Sequence, residues 1–449
     1  MTLLAIDWSS VGVKTGQFIL SFSILVVLHE MGHFFPAKWF KCRVEKFYLF
    51  FNPWFSLWKK KVGDTEYGLG WVPFGGYVKI SGMVDESMDK EQLKKPAEPW
   101  EFRSKPAWQR LIIMIGGVVV NIVLAILLFI MITYVWGEEY LPAKNLRFGV
   151  HADSLATQLG IQDGDKIVSI DGKPLDNFGT IGSMIILGEA KQLQVDRNGE
   201  NVNLTIPEGF IKKLNKSKLE GFLDVRVPTY VDSVSKSATF IEGRLQKGDQ
   251  IIAFNNQPAP YFNDLNRLKK GKSNEEAVLS ILRNNDTTQV KVKLDDKYLI
   301  GFIPRNPAEI LGTTVKKYSF VQSIPVGFER CFSTLGRYVT GLKQLFTGKV
   351  NPNDSLGSVI SIGNTFPSLW DWQRFWTLTA IFSIILAFMN ILPIPALDGG
   401  HALFTLVEMV TGRKPSDKFM EYAQMVGMAL LLGLMAYALG LDFWRLFKH

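Results

Sequence analysis

The sequence predicts a multi-pass α-helical membrane protein with four transmembrane helices, two extracytoplasmic mostly-β domains and a small membrane-associated β segment. Three observations predict it. Four apolar runs have the length of membrane spans, an internal repeat lies between the second and third, and a glycine-punctuated aromatic stretch lies between the first and second. Of the 449 residues, 47% are hydrophobic and only 20% charged. An average soluble chain carries more charge.

The apolar runs cover about residues 16–40, 111–136, 375–392 and 423–441. Each is close to the ~20 residues a helix needs to cross ~30 Å of hydrocarbon. The first reads as a span, since no basic n-region precedes it and no small-x-small cleavage site ends it. Orientation follows from the loops. Lys38, Lys41, Arg43, Lys46 and Lys59-Lys60-Lys61 follow the first run with only Glu45 as an acid among them. Short loops rich in Lys and Arg stay in the cytoplasm. The stretch 137–372 is then expected outside, the loop with Arg413, Lys414 and Lys418 inside, and the C-terminus outside. In a Gram-negative-type bacterium this is an inner-membrane protein with its large middle segment in the periplasm. The implied order is 1–40 first span, 41–107 cytoplasmic-side β-rich segment, 108–137 second span, 138–222 and 223–308 two β domains, 309–372 amphipathic connector, and 373–449 third and fourth spans.

Composition excludes some partners. Lys and Arg number 50 against 42 Asp and Glu, without the concentrated basic stripe of a nucleic-acid-binding domain. Cys42 and Cys331 fall on opposite sides of the membrane, so they are not expected to pair, and two thiols cannot make a metal cage.

Residues 160–174 return as 244–258, with Gly164-Asp165 matched by Gly248-Asp249 and Lys173-Pro174 by Gln257-Pro258. After each copy, period-two alternation flanks a turn, Asn198-Gly199 in one and Asn284-Asn285 in the other, the pattern of a β-hairpin. One small β domain therefore occurs twice. The unit resembles the PDZ domains of bacterial envelope proteases. Such domains bind extended peptides by adding a strand to a sheet edge, expected here near Phe148-Gly149-Val150. Between the first two spans, Tyr67 to Ile80 is β-rich and broken by glycines that permit tight turns. Tyr318 to Lys349 has an amphipathic pattern, that of a helix on the outer membrane surface or of a plain connector.

The strongest chemical signal is His29-Glu30-Met31-Gly32-His33. Residues four apart share a helix face, so both imidazoles can reach one metal ion, with Glu30 beside them to take a proton from water. Polar residues inside a span are costly and mark function. A catalytic zinc wants three protein ligands and one open position. His151 and His449 lie on the wrong side. Asn390-Ile391-Leu392-Pro393-Ile394-Pro395-Ala396-Leu397-Asp398-Gly399-Gly400-His401 ends the third run level with the two histidines, and its prolines break regular helix. Asp398 and His401 are both available donors there.

His-Glu-x-x-His late in a first span with Asn-x-x-Pro-x-Pro-x-x-Asp-Gly late in a third resembles the site-2 protease family. The resemblance covers nearly the whole chain. It implies an intramembrane zinc endopeptidase in which His29, His33 and Asp398 bind Zn²⁺, Glu30 is the catalytic base, Asn390 holds the substrate backbone and His401 is a neighbour. A substrate strand is expected against Gly75-Gly76-Tyr77. The implied substrates are single-span membrane proteins in the lipid bilayer, namely trimmed anti-sigma factors and leftover signal peptides, filtered by the tandem PDZ pair. The chain departs from the family's Gly-Pro-x-x-Asn at Gly117-Val118-Val119-Val120-Asn121, and from its Gly-Pro-Ile at Ser358-Val359-Ile360, and neither segment is expected to touch the proposed ligands. A metal transporter would need several intramembrane carboxylates, and the runs show few beyond Glu30. A PDZ scaffold with a vestigial His-Glu pair would bind no zinc.

Overall fold

The computed structural model describes residues 8–83, 96–217, 219, 222–235, 238–355 and 357–447. It divides into two units, one made of 1–137, 317–342 and 356–449, the other of 138–316 and 343–355. The helices that shape the first unit are α1 (Trp8–Trp39), α2 (Ala107–Val135), α3 (Phe320–Phe346), α4 (Val359–Gly363), α5 (Trp372–Ile391), α6 (Asp398–Thr411) and α7 (Asp417–Phe447). Among the described residues, four are long and apolar enough to cross a membrane: α1, α2, α5 and the Lys418–Trp444 stretch of α7. They coincide with the four apolar runs.

Without a hydrophobic force between helices in lipid, small residues set how closely spans approach. A Cβ on Gly32 of α1 would lie 2.5 Å from the Gly116 carbonyl oxygen of α2, and one on Gly116 would lie 2.0 Å from the Gly32 oxygen. The two backbones therefore touch one residue from His33. Polar side chains fasten the other contacts. Ser21 and Thr379 hydroxyls join α1 to α5 at 2.9 Å, and Ser383 of α5 donates to the Asn121 carbonyl of α2 at 2.7 Å. Arg110 of α2 pairs with Glu408 of α6 at 2.5 Å.

Helix α7 is the least buried of the four spans. Two points hold it. A Cβ on Gly427 would lie 1.7 Å from the Pro395 carbonyl oxygen, so this helix presses on the loop before α6. Near its end, the buried Asp442 carboxylate accepts from the backbone N–H and hydroxyl of both Ser358 and Ser361, at 2.5–3.1 Å. These groups belong to the first turn of α4, where helical N–H groups lack internal partners. The departure at Ser358-Val359-Ile360 thus has a use, since serine adds a hydroxyl donor to the latch.

Helix α3 buries Cys331 against Ala125, Leu128 and Ile384 and shows Phe320, Ile324, Phe328 and Phe332 on its exposed side. The amphipathic segment is thus a helix with one face built into the unit. Cys42 and Cys331 are both free. Burial raises the Cys42 thiol, with Lys105 opposing.

Between α1 and α2 lies a four-stranded sheet of β1 (Val44–Phe51), β2 (Trp58–Val62), β3 (Thr65–Leu69) and β4 (Val72–Ile80) in the order β2-β3-β1-β4. β4 is an edge strand. It pairs antiparallel with β1 in a register that sets Gly76 opposite Leu49 and Tyr77 opposite Tyr48. The Tyr48 and Tyr77 rings stack at 5.3 Å. Trp54, Phe55, Trp58 and Trp71 stand exposed, as aromatic rings do at a membrane interface.

The stretch 138–316 of the second unit opens and closes on one strand pair, β5 (Glu138–Tyr140) with β19 (Thr314–Lys316). Its first β domain holds β6 (Val150–Ala152), β7 (Lys166–Ile170), β8 (Lys173–Pro174), β9 (Gln192–Arg197), β10 (Glu200–Thr205) and β11 (Leu223–Val225). The second holds β12 (Thr229–Val234), β13 (Thr239–Glu242), β14 (Gln250–Phe254), β15 (Gln257–Pro258), β16 (Glu276–Arg283), β17 (Asp286–Lys293) and β18 (Phe302–Pro304).

The repeat is physical as well as textual. Asp165 is buried and takes a two-nitrogen grip from Arg197, and Asp249 takes the same grip from Arg283, at 2.7–2.9 Å. Each aspartate also accepts the N–H three residues before it, from Gln162 or Gln246. Leu311 lies in the core of the first domain, so the chain returns there after completing the second.

The edge expected at Phe148-Gly149-Val150 is corrected. β6 pairs antiparallel with β11 on one side, and on the other Val150 exchanges backbone hydrogen bonds with Gly164 and Asp165. Gly149 is pressed on the Gly164 carbonyl. Among the described residues β11 is the edge strand beside β6, and the sheet of the second domain ends on β13 and β18.

Candidate active site

Helix α1 puts His29 and His33 on one buried face, with their Nε2 atoms 3.3 Å apart. The third donor comes from the break after α5. Ala396 adopts φ +81° there, and the chain folds back so tightly that a Cβ on Gly399 would lie 2.3 Å from the Leu392 carbonyl oxygen. Only a residue without a side chain fits at such an approach. Asp398 then opens α6 with Oδ2 at 3.2 Å from His29 Nε2 and 3.3 Å from His33 Nε2.

This Oδ2 is buried and accepts no well-formed hydrogen bond. Three lone-pair atoms converge, and the amide donor that reaches them, Asn390 Nδ2, serves His29 Nε2 and leaves Asp398 Oδ2 and His33 Nε2 facing each other, an arrangement that a cation relieves. Their separations test which cation fits. Tetrahedral zinc bonds of about 2.0 Å require ligand atoms about 3.3 Å apart. The three edges here are 3.2, 3.3 and 3.3 Å. Among the described residues, His29, His33 and Asp398 form a group that could hold a metal ion, and His401 is outside it.

Helix α2 orients both rings. His33 donates from Nδ1 to the Ile113 carbonyl at 2.8 Å, which leaves Nε2 free to ligate. His29 Nδ1 lies 3.2 Å from the Asn121 carboxamide, whose oxygen otherwise has no partner. With that oxygen turned to the ring, Nδ1–H donates to Asn121, and His29 is also left with a ligating Nε2. Gly117, one turn before Asn121, gives the rings their room. A Cβ there would lie 2.5 Å from His33 Nε2 and 2.6 Å from His29 Cε1.

A cavity of about 400 Å³ opens on this cluster, lined by Glu30, His401, Met114, Gly76, Tyr77 and Gln424 among others. Asn390 reaches the cluster itself, its Nδ2 at 3.1 Å from His29 Nε2. Gly76 sits close to α1, since a Cβ on it would meet Val26 at 2.7 Å and Glu30 Cγ at 3.5 Å. Tyr77 donates to Asn52 at 2.9 Å. Gly75 packs against the Phe51 ring instead and does not line the cavity. The expectation that the Gly117–Asn121 segment stays clear of the ligands is corrected, since both residues meet the histidine rings, and their four-residue spacing on one helix face was a signal. Sequence reasoning missed Gln424, a lone amide in the last apolar run.

A sequence profile described as peptidase family M50 matches residues 17–434. The chain belongs to peptidase family M50. Its matched span holds all three donors and Glu30. The chain is similar to a regulator of sigma E protease from Haemophilus influenzae, 27% identical over 460 residues and covering 96% of this chain and 98% of the relative. It is also similar to the regulator of sigma-E protease RseP of Escherichia coli K12, 26% identical over 462 residues with the same coverage. As an M50 member, also called the site-2 protease family, the protein is a zinc metalloprotease of membranes, and the His-His-Asp cluster fits that metal.

Proposed function

We propose that the protein carries out regulated intramembrane proteolysis of single-span membrane proteins, with His29, His33 and Asp398 holding the zinc and Glu30 as the general base. One observation carries the reading: the donor triangle opens into the same cavity as Glu30 and the edge strand β4.

A substrate helix hides its carbonyls in its own hydrogen bonds, so it must unwind before cleavage. Strand β4 offers unpaired backbone groups on which an unwound segment adds as a further strand. Gly76 lets that segment approach α1 closely. When bound, zinc polarises the scissile carbonyl and acidifies the attacking water. Glu30 takes the proton from that water and returns it to the leaving amine. Asn390, beside His29 Nε2, holds the carbonyl of the substrate backbone in line.

The basic loop after α1 supports an active site toward the cytoplasmic side and β domains in the periplasm of a bacterial inner membrane. Two relatives are named as regulators of sigma E, which fits a substrate that controls a sigma factor; trimmed anti-sigma factors and signal-peptide remnants are the substrates proposed. The repeated β unit supports two PDZ-like filters that act on access and hold no chemistry. His151 there is occupied with Asp163 at 2.8 Å.

The test is metal content and cleavage of a tagged single-span substrate. Glu30→Gln keeps its zinc and loses cleavage, whereas His29→Ala and His33→Ala lose both. Turnover retained by a Glu30→Gln preparation free of contaminating protease ends this assignment of the base.

A further inference from the structure

Gln424 stands on the fourth span, one turn before the Gly427 contact with Pro395. It is 6% exposed, and the cavity that it lines is the catalytic one. Its carboxamide makes no hydrogen bond with any other described residue. The amide therefore keeps its donor and its acceptor for whatever occupies the cavity. Intramembrane polar groups that face a cavity mark the path of what enters it.

The occupant follows from the strand that lines the same cavity. A peptide added to β4 satisfies only one of its two edges. Its outer edge still carries N–H and C=O groups that lipid cannot satisfy. A carboxamide offers both a donor and an acceptor, the pair that such an edge lacks. The contact at Gly427 fixes α7 against the loop that delivers Asp398, so the amide is held at a set distance from the metal ligands.

We propose that Gln424 is a substrate-positioning residue whose carboxamide hydrogen-bonds the outer edge of the peptide strand in the catalytic cavity. The proposal rests on the cavity being a peptide cleft. It places the substrate between two walls, β4 on one side and the fourth span on the other.

The test uses the full-length zinc-loaded protein in liposomes and a single-span peptide. In a series of this peptide, one backbone amide at a time around the scissile bond becomes an ester, which removes an N–H and weakens a carbonyl. Gln424→Leu is expected to lower kcat/KM on the parent peptide about tenfold, mostly through KM, with zinc content and thermal unfolding unchanged. One ester position should cost the wild type about tenfold and cost Gln424→Leu nothing more, since the contact is already gone. Gln424→Glu, which keeps an acceptor, should keep sensitivity only to loss of the donor N–H, and it serves in the same scan if the leucine variant fails to fold. Equal ester penalties in wild type and variant at every position would overturn the proposal and leave the peptide-cleft reading standing. Zinc-loaded wild type that cleaves no single-span peptide would overturn both.

Discussion

Replacing Gly117 by alanine tests whether the room for the metal site is made by α2. The added methyl would start 2.5 Å from His33 Nε2, 2.6 Å from His29 Cε1 and 2.7 Å from His29 Nδ1. Ordinary contact begins at 3.4 Å, so the rings must retreat about 0.9 Å or the helices must part by as much. Zinc tolerates only about 0.2 Å in its ligand distances. Overpacking of this kind costs about 1–3 kcal/mol, and misplaced ligands lower metal affinity by about 10- to 100-fold. The assay is chelator competition on the purified protein, which reads zinc affinity without activity. Gly117→Ala is expected to lose at least about tenfold in affinity, and cleavage at limiting zinc should fall in step. Gly16→Ala is the control on α1, because a Cβ there meets nothing within 4 Å. Zinc affinity in Gly117→Ala within twofold of wild type would refute the reasoning, since the methyl cannot be housed without moving a ligand.

Asn121→Leu should weaken zinc about 10- to 100-fold by freeing the His29 tautomer, while Asn121→Asp keeps an acceptor and most of the affinity; chelator competition reads both, and equal losses would deny the tautomer role. Asp398→Ala should lose zinc and His401→Ala should keep it, as metal analysis will show; the reverse result would move the third ligand to His401. Excising 138–316 should keep zinc and extend cleavage to substrates with intact folded outer domains. Glu138 and Lys316 are register partners, so a short linker closes the gap. Co-expression with full-length and trimmed forms of one substrate checks this, and an unchanged preference for the trimmed form would place discrimination within the membrane.

Much of this site was legible because it is local. The four-residue spacing of His29 and His33 needs only a helix, and a helix is what an apolar run must form in lipid. The Pro393-Ile394-Pro395 break likewise announces irregular backbone at membrane depth, and Asp398 follows it directly. What stayed hidden depends on contacts between distant segments. Nothing in the second run says that Gly117 lies under two imidazoles until α1 and α2 are crossed at Gly32 and Gly116. The groove expected at Val150 failed for the same reason. Its partner, β11, begins more than seventy residues later, beyond a hairpin and a short helix. A repeat reveals that a unit recurs, but it does not reveal which strand closes the sheet.

The membrane unit also separates structural polarity from functional polarity. A carboxylate in the fourth span could suggest an ion path, yet Asp442 is surrounded by four donors from Ser358 and Ser361. Glu408 is bound to Arg110, Ser21 to Thr379, and Ser383 to the Asn121 carbonyl. A side chain whose hydrogen bonds are met within the protein holds helices together and has no capacity left for a passing ion. Among the described residues, one cavity gathers several groups that keep such capacity. They are three converging lone pairs on His29, His33 and Asp398, an edge strand paired on one side, and the Gln424 amide. Lone pairs at tetrahedral spacing call for a metal ion, and backbone and amide groups call for another backbone. Together they describe a metal that meets an extended peptide, which is what a protease needs and a transporter does not.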